Sequence, residues 1–206
     1  MDGELDLSLV VGFSGKKKAM IGGDRRSIAF FGGAEALEEE LYSGKIRTDE
    51  DLKKRAEELG SVIQIADGRE KVWKRGDGEV LVGEVTELSV ESQRRRRVYL
   101  VPGGYILVEI SGSRAEVSKR GKSTLIIFGN RFTREFAYQR LGAAGKPPDL
   151  STIKSLFEEA RRATATVSPD YTIFSSERVH SNPEAVLLRA LREDCEERGW
   201  ELFGLA

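Results

Sequence analysis

The sequence predicts an α/β chain, rich in sheet, with its helices concentrated late. Three observations predict it. Residues 8–13 and 19–23 are two nearly continuous apolar runs joined by Ser14-Gly15-Lys16, the pattern of a hairpin buried on both faces. Five more strand-like runs follow, at 61–66, 79–85, 98–101, 105–110 and 123–128. Amphipathic stripes then mark helices through Ile153, Leu156, Phe157, Ala160 and Ala163, and through Val186, Leu187, Ala190, Leu191 and Cys195.

Each element has its own signal. The hairpin is followed by Asp24-Arg25-Arg26, an extended run from Ile28 to Phe31, and a break at Gly32-Gly33. Ala34, Leu37 and Leu41 have helical spacing and stop at Gly44. Thr48 can cap a second helix that carries Leu52, Ala56 and Leu59 on one face and ends at Gly60. The apolar stripe of this pair is thin, so the two helices are expected to decorate a core formed elsewhere. Thr133 to Leu141 reads as helix, Pro147-Pro148-Asp149 as a boundary, and Tyr171 to Phe174 as strand. The last helix has Asn182 as N-cap, Pro183 in its first position and Gly199 after its end.

Composition narrows the function classes. The chain has 206 residues, 39% of them hydrophobic and 33% charged, with a net charge of -1. That is enough apolar material for a packed core, and the balanced charge argues against nucleic acid as a partner. One cysteine and one histidine cannot build a zinc site of the usual Cys/His kind, and no cofactor is expected. No run approaches the ~18 apolar residues that span a bilayer. The acidic start, Met1 to Leu7, does not read as a secretory signal. A soluble, cytoplasmic protein is the expectation.

The chemistry-bearing segment is Ser8-Leu-Val-Val-Gly-Phe, followed by Ala-Met-Ile-Gly-Gly-Asp24-Arg25-Arg26-Ser27. It resembles the opening of proteasome β subunits. There a nucleophilic threonine starts one strand, and the next ends in an acid followed by two arginines. The family's acid lies 16 positions after its nucleophile, and here 24 − 8 = 16. The resemblance implies an N-terminal-nucleophile fold, an αββα sandwich with a helical and strand insertion at roughly 33–93. It also implies the chemistry: the hydroxyl of the first residue attacks a carbonyl and its own α-amine takes the proton. An α-amine, with a pKa of about 7.7–8.0, is a capable base without histidine. In that scheme Ser8 is nucleophile and base carrier. Asp24 orients it, and Arg26 pairs with Asp24 or shapes the floor of the site.

The family also keeps a lysine on its third core strand. Arg69-Glu70-Lys71-Val72-Trp73 offers Lys71, taken here as the fourth site residue. Arg97-Val98-Tyr99-Leu100-Val101, followed by Pro-Gly-Gly, fits the strand–turn–strand pattern better and would put an arginine in that place.

Further words resemble the archaeal connectase family, a proteasome-β-related group of methanogens. They are Gly-Gly-Asp-Arg-Arg, Glu-Leu-Tyr-Ser-Gly-Lys-Ile-Arg-Thr-Asp-Glu (40–50), Arg-Glu-Lys-Val (69–72), Arg-Arg-Arg-Val-Tyr (95–99) and Ile-Ile-Phe-Gly-Asn (126–130). This resemblance implies a transpeptidase acting on a peptide or protein substrate, and a single domain over 1–206. Two departures stand out. Serine replaces threonine, and residues 1–7 precede Ser8, so a basic amine there requires their removal as a propeptide. A peptidase or amidase would use the same residues, and a chain that retains 1–7 would be a non-catalytic binding module. The run Arg94 to Arg97 is expected on an ion-paired face or a substrate-contact edge, His180 in a loop, and Cys195 in the core.

Overall fold

The computed structural model describes residues 4–5, 9–88, 93–142 and 147–205. It is a mixed α/β structure whose described residues form two sheets and five helices. The strands are β1 (Glu4–Leu5), β2 (Val10–Ser14), β3 (Ala19–Asp24), β4 (Ser27–Phe31), β5 (Val62–Ala66), β6 (Val72–Arg75), β7 (Val80–Leu88), β8 (Gln93–Val101), β9 (Gly104–Ser111), β10 (Arg114–Gly121), β11 (Thr124–Phe128), β12 (Tyr171–Ser176) and β13 (Glu201–Phe203). The helices are α1 (Glu35–Tyr42), α2 (Asp49–Glu58), α3 (Arg131–Gly142), α4 (Leu150–Ala163) and α5 (Pro183–Arg198).

The expected hairpin is the middle of the smaller sheet, ordered β11-β2-β3-β12 and antiparallel throughout. Both its faces are covered, which explains the unbroken apolar run of β3, buried at every position. Side chains alternate across a strand. Leu9, Val11 and Met20 therefore pack with α3 and α4 on one side. Val10, Ala19 and Ile21 pack on the other, against Leu81, Val85, Val98 and Leu100 of the larger sheet.

The larger sheet runs β13-β10-β9-β8-β7-β1-β4-β5, with β6 also on β7. Its far face carries α5, whose Leu187, Ala190, Leu191 and Cys195 join Val82, Tyr99, Ile106 and Val108 in a third layer of core. The two sheets approach closely because glycines face the interface. A Cβ at Gly83 would lie 2.6 Å from Ile21 Cδ1 and 3.0 Å from Val10 Cγ1, closer than side chains tolerate.

Helices α1 and α2 build a separate cluster with Ile28 and Phe30 of β4 and the half-buried Ile63 and Ile65 of β5. Thr48 caps α2 as expected, accepting from the Asp51 amide. Asn182 caps α5 by accepting from Ala185, with Pro183 in the first turn and Gly199 left-handed at its end. Strands β1, β6, β10 and β13 are additions to the expected list. Strand β10 hid because only Ala115 of its eight residues is buried, so its sequence carries charge instead of alternation. Among the described residues, no helix is long and apolar enough to cross a membrane.

Candidate functional site

The site forms where β2 begins and β3 ends. Antiparallel pairing puts Val10 opposite Gly23, so Leu9 lies opposite Asp24. The Asp24 amide donates to the Leu9 carbonyl at 3.1 Å. The Leu9 amide donates to Asp24 Oδ1 at 2.8 Å. Ser8 itself lies outside the described residues. The nitrogen bonded to Asp24 is nevertheless the one that joins Leu9 to Ser8, so the carboxylate is anchored on the peptide directly after the expected nucleophile.

Asp24 is fully buried and its carboxylate is saturated with donors. Lys71 Nζ donates to Oδ1 at 2.9 Å. The Arg26 amide donates to Oδ2 at 2.9 Å, and the Ser168 amide approaches it at 3.4 Å. Lys71 Nζ also donates to the Arg26 carbonyl at 2.5 Å. A buried carboxylate without partners is costly; here the Lys71 ammonium and the main-chain amides supply them.

Lys71 reaches this point because it directly precedes β6, which holds to β7, and because the Glu84 amide donates to the Lys71 carbonyl at 2.9 Å. Gly23 makes the passage possible. A Cβ there would sit 2.9 Å from Val72 Cγ1 and 3.4 Å from Lys71 Cβ. Arg97, the alternative for the lysine position, lies elsewhere. Its guanidinium donates to Glu84 at 2.7 Å and Asp194 at 2.5 Å, and lies between the rings of Trp73 and Trp200 on the α5 side. The better strand–turn–strand match at Arg97 had no bearing on which side chain meets Asp24.

Arg26 corrects one expected role. Its guanidinium does not pair with Asp24; only its main chain touches that residue. The side chain, 2% exposed, runs instead to Asp67 (Nε at 2.8 Å, NH2 at 2.9 Å), Asp49 (NH1 at 2.5 Å, NH2 at 3.0 Å) and the Ala165 carbonyl (NH1 at 2.6 Å). Burial works against its charge, but the hydrogen bonds it donates to Asp67 and Asp49 outweigh that and hold it more firmly protonated than an ordinary arginine. The same bond holds the Asp67 carboxyl below its ordinary range, against the opposing effect of its partial burial.

Three residues near the site escaped the sequence reading: Asp49, Asp67 and Ser168. Ser168 Oγ accepts from the Arg25 amide at 2.8 Å and donates to the Asp170 carbonyl at 2.5 Å, fixing the loop beside Asp24. The only signal for it was the short run Thr164-Ala-Thr-Val-Ser168 between α4 and β12; in the fold Thr164, Thr166 and Ser168 are all fully buried. Among the described residues, no cluster of His, Cys, Asp and Glu could hold a metal ion.

The arginine run is partly ion-paired. Arg94 pairs with Glu109, and Arg96 lies over the Phe128 ring at 5.3 Å. Cys195 is buried, and burial raises its thiol pKa, so it is a core residue and a poor nucleophile.

Two comparisons bear on the chain. A family model described as Connectase MJ0548-like, N-terminal domain, matches residues 7–196. No curated protein matches.

Proposed function

Because the chain belongs to the connectase N-terminal domain family, we propose that it is an N-terminal-nucleophile protein ligase with Ser8 as nucleophile once residues 1–7 are removed. The observation that carries this reading is the buried Lys71–Asp24 pair, bonded to the amide that follows Ser8. The family match opens at Leu7, one residue before the proposed nucleophile. The packing of α3 and α4 on one sheet, of the two sheets on each other, and of α5 on the far face supports an N-terminal-nucleophile αββα sandwich.

In the proposed reaction Ser8 Oγ attacks the carbonyl carbon of a substrate peptide bond, and the hydroxyl proton passes to the Ser8 α-amine. The C–N bond breaks, and the departing amine takes that proton. The acyl part remains on Ser8 as an ester. An incoming peptide amine attacks the ester carbonyl and gives up a proton to the α-amine, which returns it to Oγ as the ester bond breaks. Asp24 and Lys71 hold the strand start that carries these atoms, so their orientation precedes substrate binding. Ligation exceeds hydrolysis to the extent that water stays out while the leaving peptide remains near.

The test is a competition. The processed protein is given a substrate peptide and a second peptide with a free amine. A joined product, read by mass spectrometry, is expected; released acid alone would make the protein a peptidase or amidase on the same residues.

A second reading has one observation in its favour. Glu4–Leu5 forms β1, a strand of the larger sheet that pairs with both β4 and β7. With that strand in place the Ser8 nitrogen is an amide and not a base, and the chain serves as a precursor or a binding module. The intact mass of the protein from its own cells separates the readings: loss of residues 1–7 supports the ligase, and their retention supports the module.

A further inference from the structure

Arg26 touches the site through its main chain and the rest of the molecule through its side chain. Its amide donates to Asp24 Oδ2 at 2.9 Å, and its carbonyl accepts from Lys71 Nζ at 2.5 Å. One residue's backbone thus bonds to both members of the buried pair. Its guanidinium has five N–H donors, and all are used: two on Asp67, two on Asp49 and one on the Ala165 carbonyl.

Neutralising one arginine needs one carboxylate. Two are present, each bidentate, and they come from separate elements. Asp49 is the first residue of α2, where a helix N-terminus also favours an anion. Asp67 follows the last residue of β5. Planar bidentate pairs fix direction as well as charge. Two of them, set on different elements, fix the guanidinium in position and in rotation. We infer that Asp49 and Asp67 are positioning residues for the Asp24–Lys71 pair, acting through the backbone of Arg26. On this view α2 and β5 do more than decorate the core; they are the buttress from which the site is held. The inference rests on the proposed function only for what the positioning serves.

The plain alternative is a structural ion pair that fastens α2 to the sheet and leaves the site indifferent. Two readouts separate the possibilities. The first is exchange of the Lys71 ammonium protons with water, followed by NMR on the full chain. The second is kcat against KM for peptide joining by the processed form. Asp67→Asn and Asp49→Asn each leave Arg26 one carboxylate and the Ala165 carbonyl. Each is expected to speed ammonium exchange about tenfold or more, because the Arg26 carbonyl loses its fixed place. Each is expected to lower kcat about tenfold at unchanged KM, and the double variant to lower it further. Glu40→Gln breaks a pair with Arg55 between α1 and α2 without touching Arg26, and is expected to leave both readouts at wild-type values. If Asp67→Asn does not fold, Asp49→Asn carries the test, since the Asp49 side chain is 38% exposed and lies at the open end of the clamp. Ammonium exchange unchanged in the aspartate variants would overturn the inference, as would a raised KM at constant kcat. A wild-type protein that joins no peptides would count against the ligase reading, and the ammonium exchange would still decide the positioning.

Discussion

At the scale of single residues, the site depends on a charge pair buried beyond the reach of water. Removing one member leaves the other unpaired, which costs about 3–5 kcal/mol, whereas removing both costs much less than the sum. Lys71→Met is therefore expected to lower the urea midpoint sharply, and Lys71→Met with Asp24→Asn to recover part of the loss. Losses that simply add would mean that the pair is not coupled. Asp67 gives a pH dependence with a definite sign. Its carboxyl is depressed in the folded protein by the Arg26 hydrogen bonds. Its stabilisation is thus fully present above the ordinary aspartate value of about 3.9 and fades as pH falls through the lower native value. The stability gap between the wild type and Asp67→Asn should be constant above about pH 5 and narrow on acidification; a gap that widens would refute this. At this scale the sequence was partly legible. A spacing of 16 and a hairpin were enough to bring Asp24 beside the start of β2. The choice between Lys71 and Arg97 was not legible, because it turns on which side chain Gly23 lets through to the carboxylate.

Among the elements, β1 has the largest consequence for function. Glu4 and Leu5 stand opposite Ala29 and Ile28 of β4, and Leu5 also stands opposite Glu87 of β7. Strands lie about 4.8 Å apart, so taking β1 away would leave a gap of about 10 Å between β7 and β4, edged by unpaired backbone groups. A chain cut before Ser8 is expected to show faster amide exchange around Ala29 and Glu87 than the full chain, with β2 and β3 unchanged. Unaltered exchange there would mean that β1 is not part of the sheet in solution. Elements with strong periodicity or caps were readable: α4 from its stripe, α5 from Asn182, Pro183 and Gly199, and α2 from Thr48. Strand β6, four residues long, and β13, three, are too short to show a period. They exist because β7 and β10 offer them an edge, and that is tertiary information.

At the scale of the whole molecule, the site is held by the fit of one sheet on the other. Ile21 and Val10 fill the space that a Cβ on Gly83 would take, while Lys71 and Val72 cross at Gly23. Gly83→Ala is expected to cost about 1–3 kcal/mol by overpacking and to push β7 away from the hairpin, read as a lower thermal midpoint. A midpoint equal to the wild type would mean that the sheets separate more easily than their contact implies. The proposed function requires that a serine amino terminus does the chemistry. The protein cut to begin at Ser8 should therefore be incubated with a candidate peptide, trapped in acid and mapped by mass spectrometry. An acyl group esterified to Ser8, and absent from Ser8→Ala, is the expected finding. Peptide joining that persists in Ser8→Ala, or an acyl group on any other side chain, would contradict it.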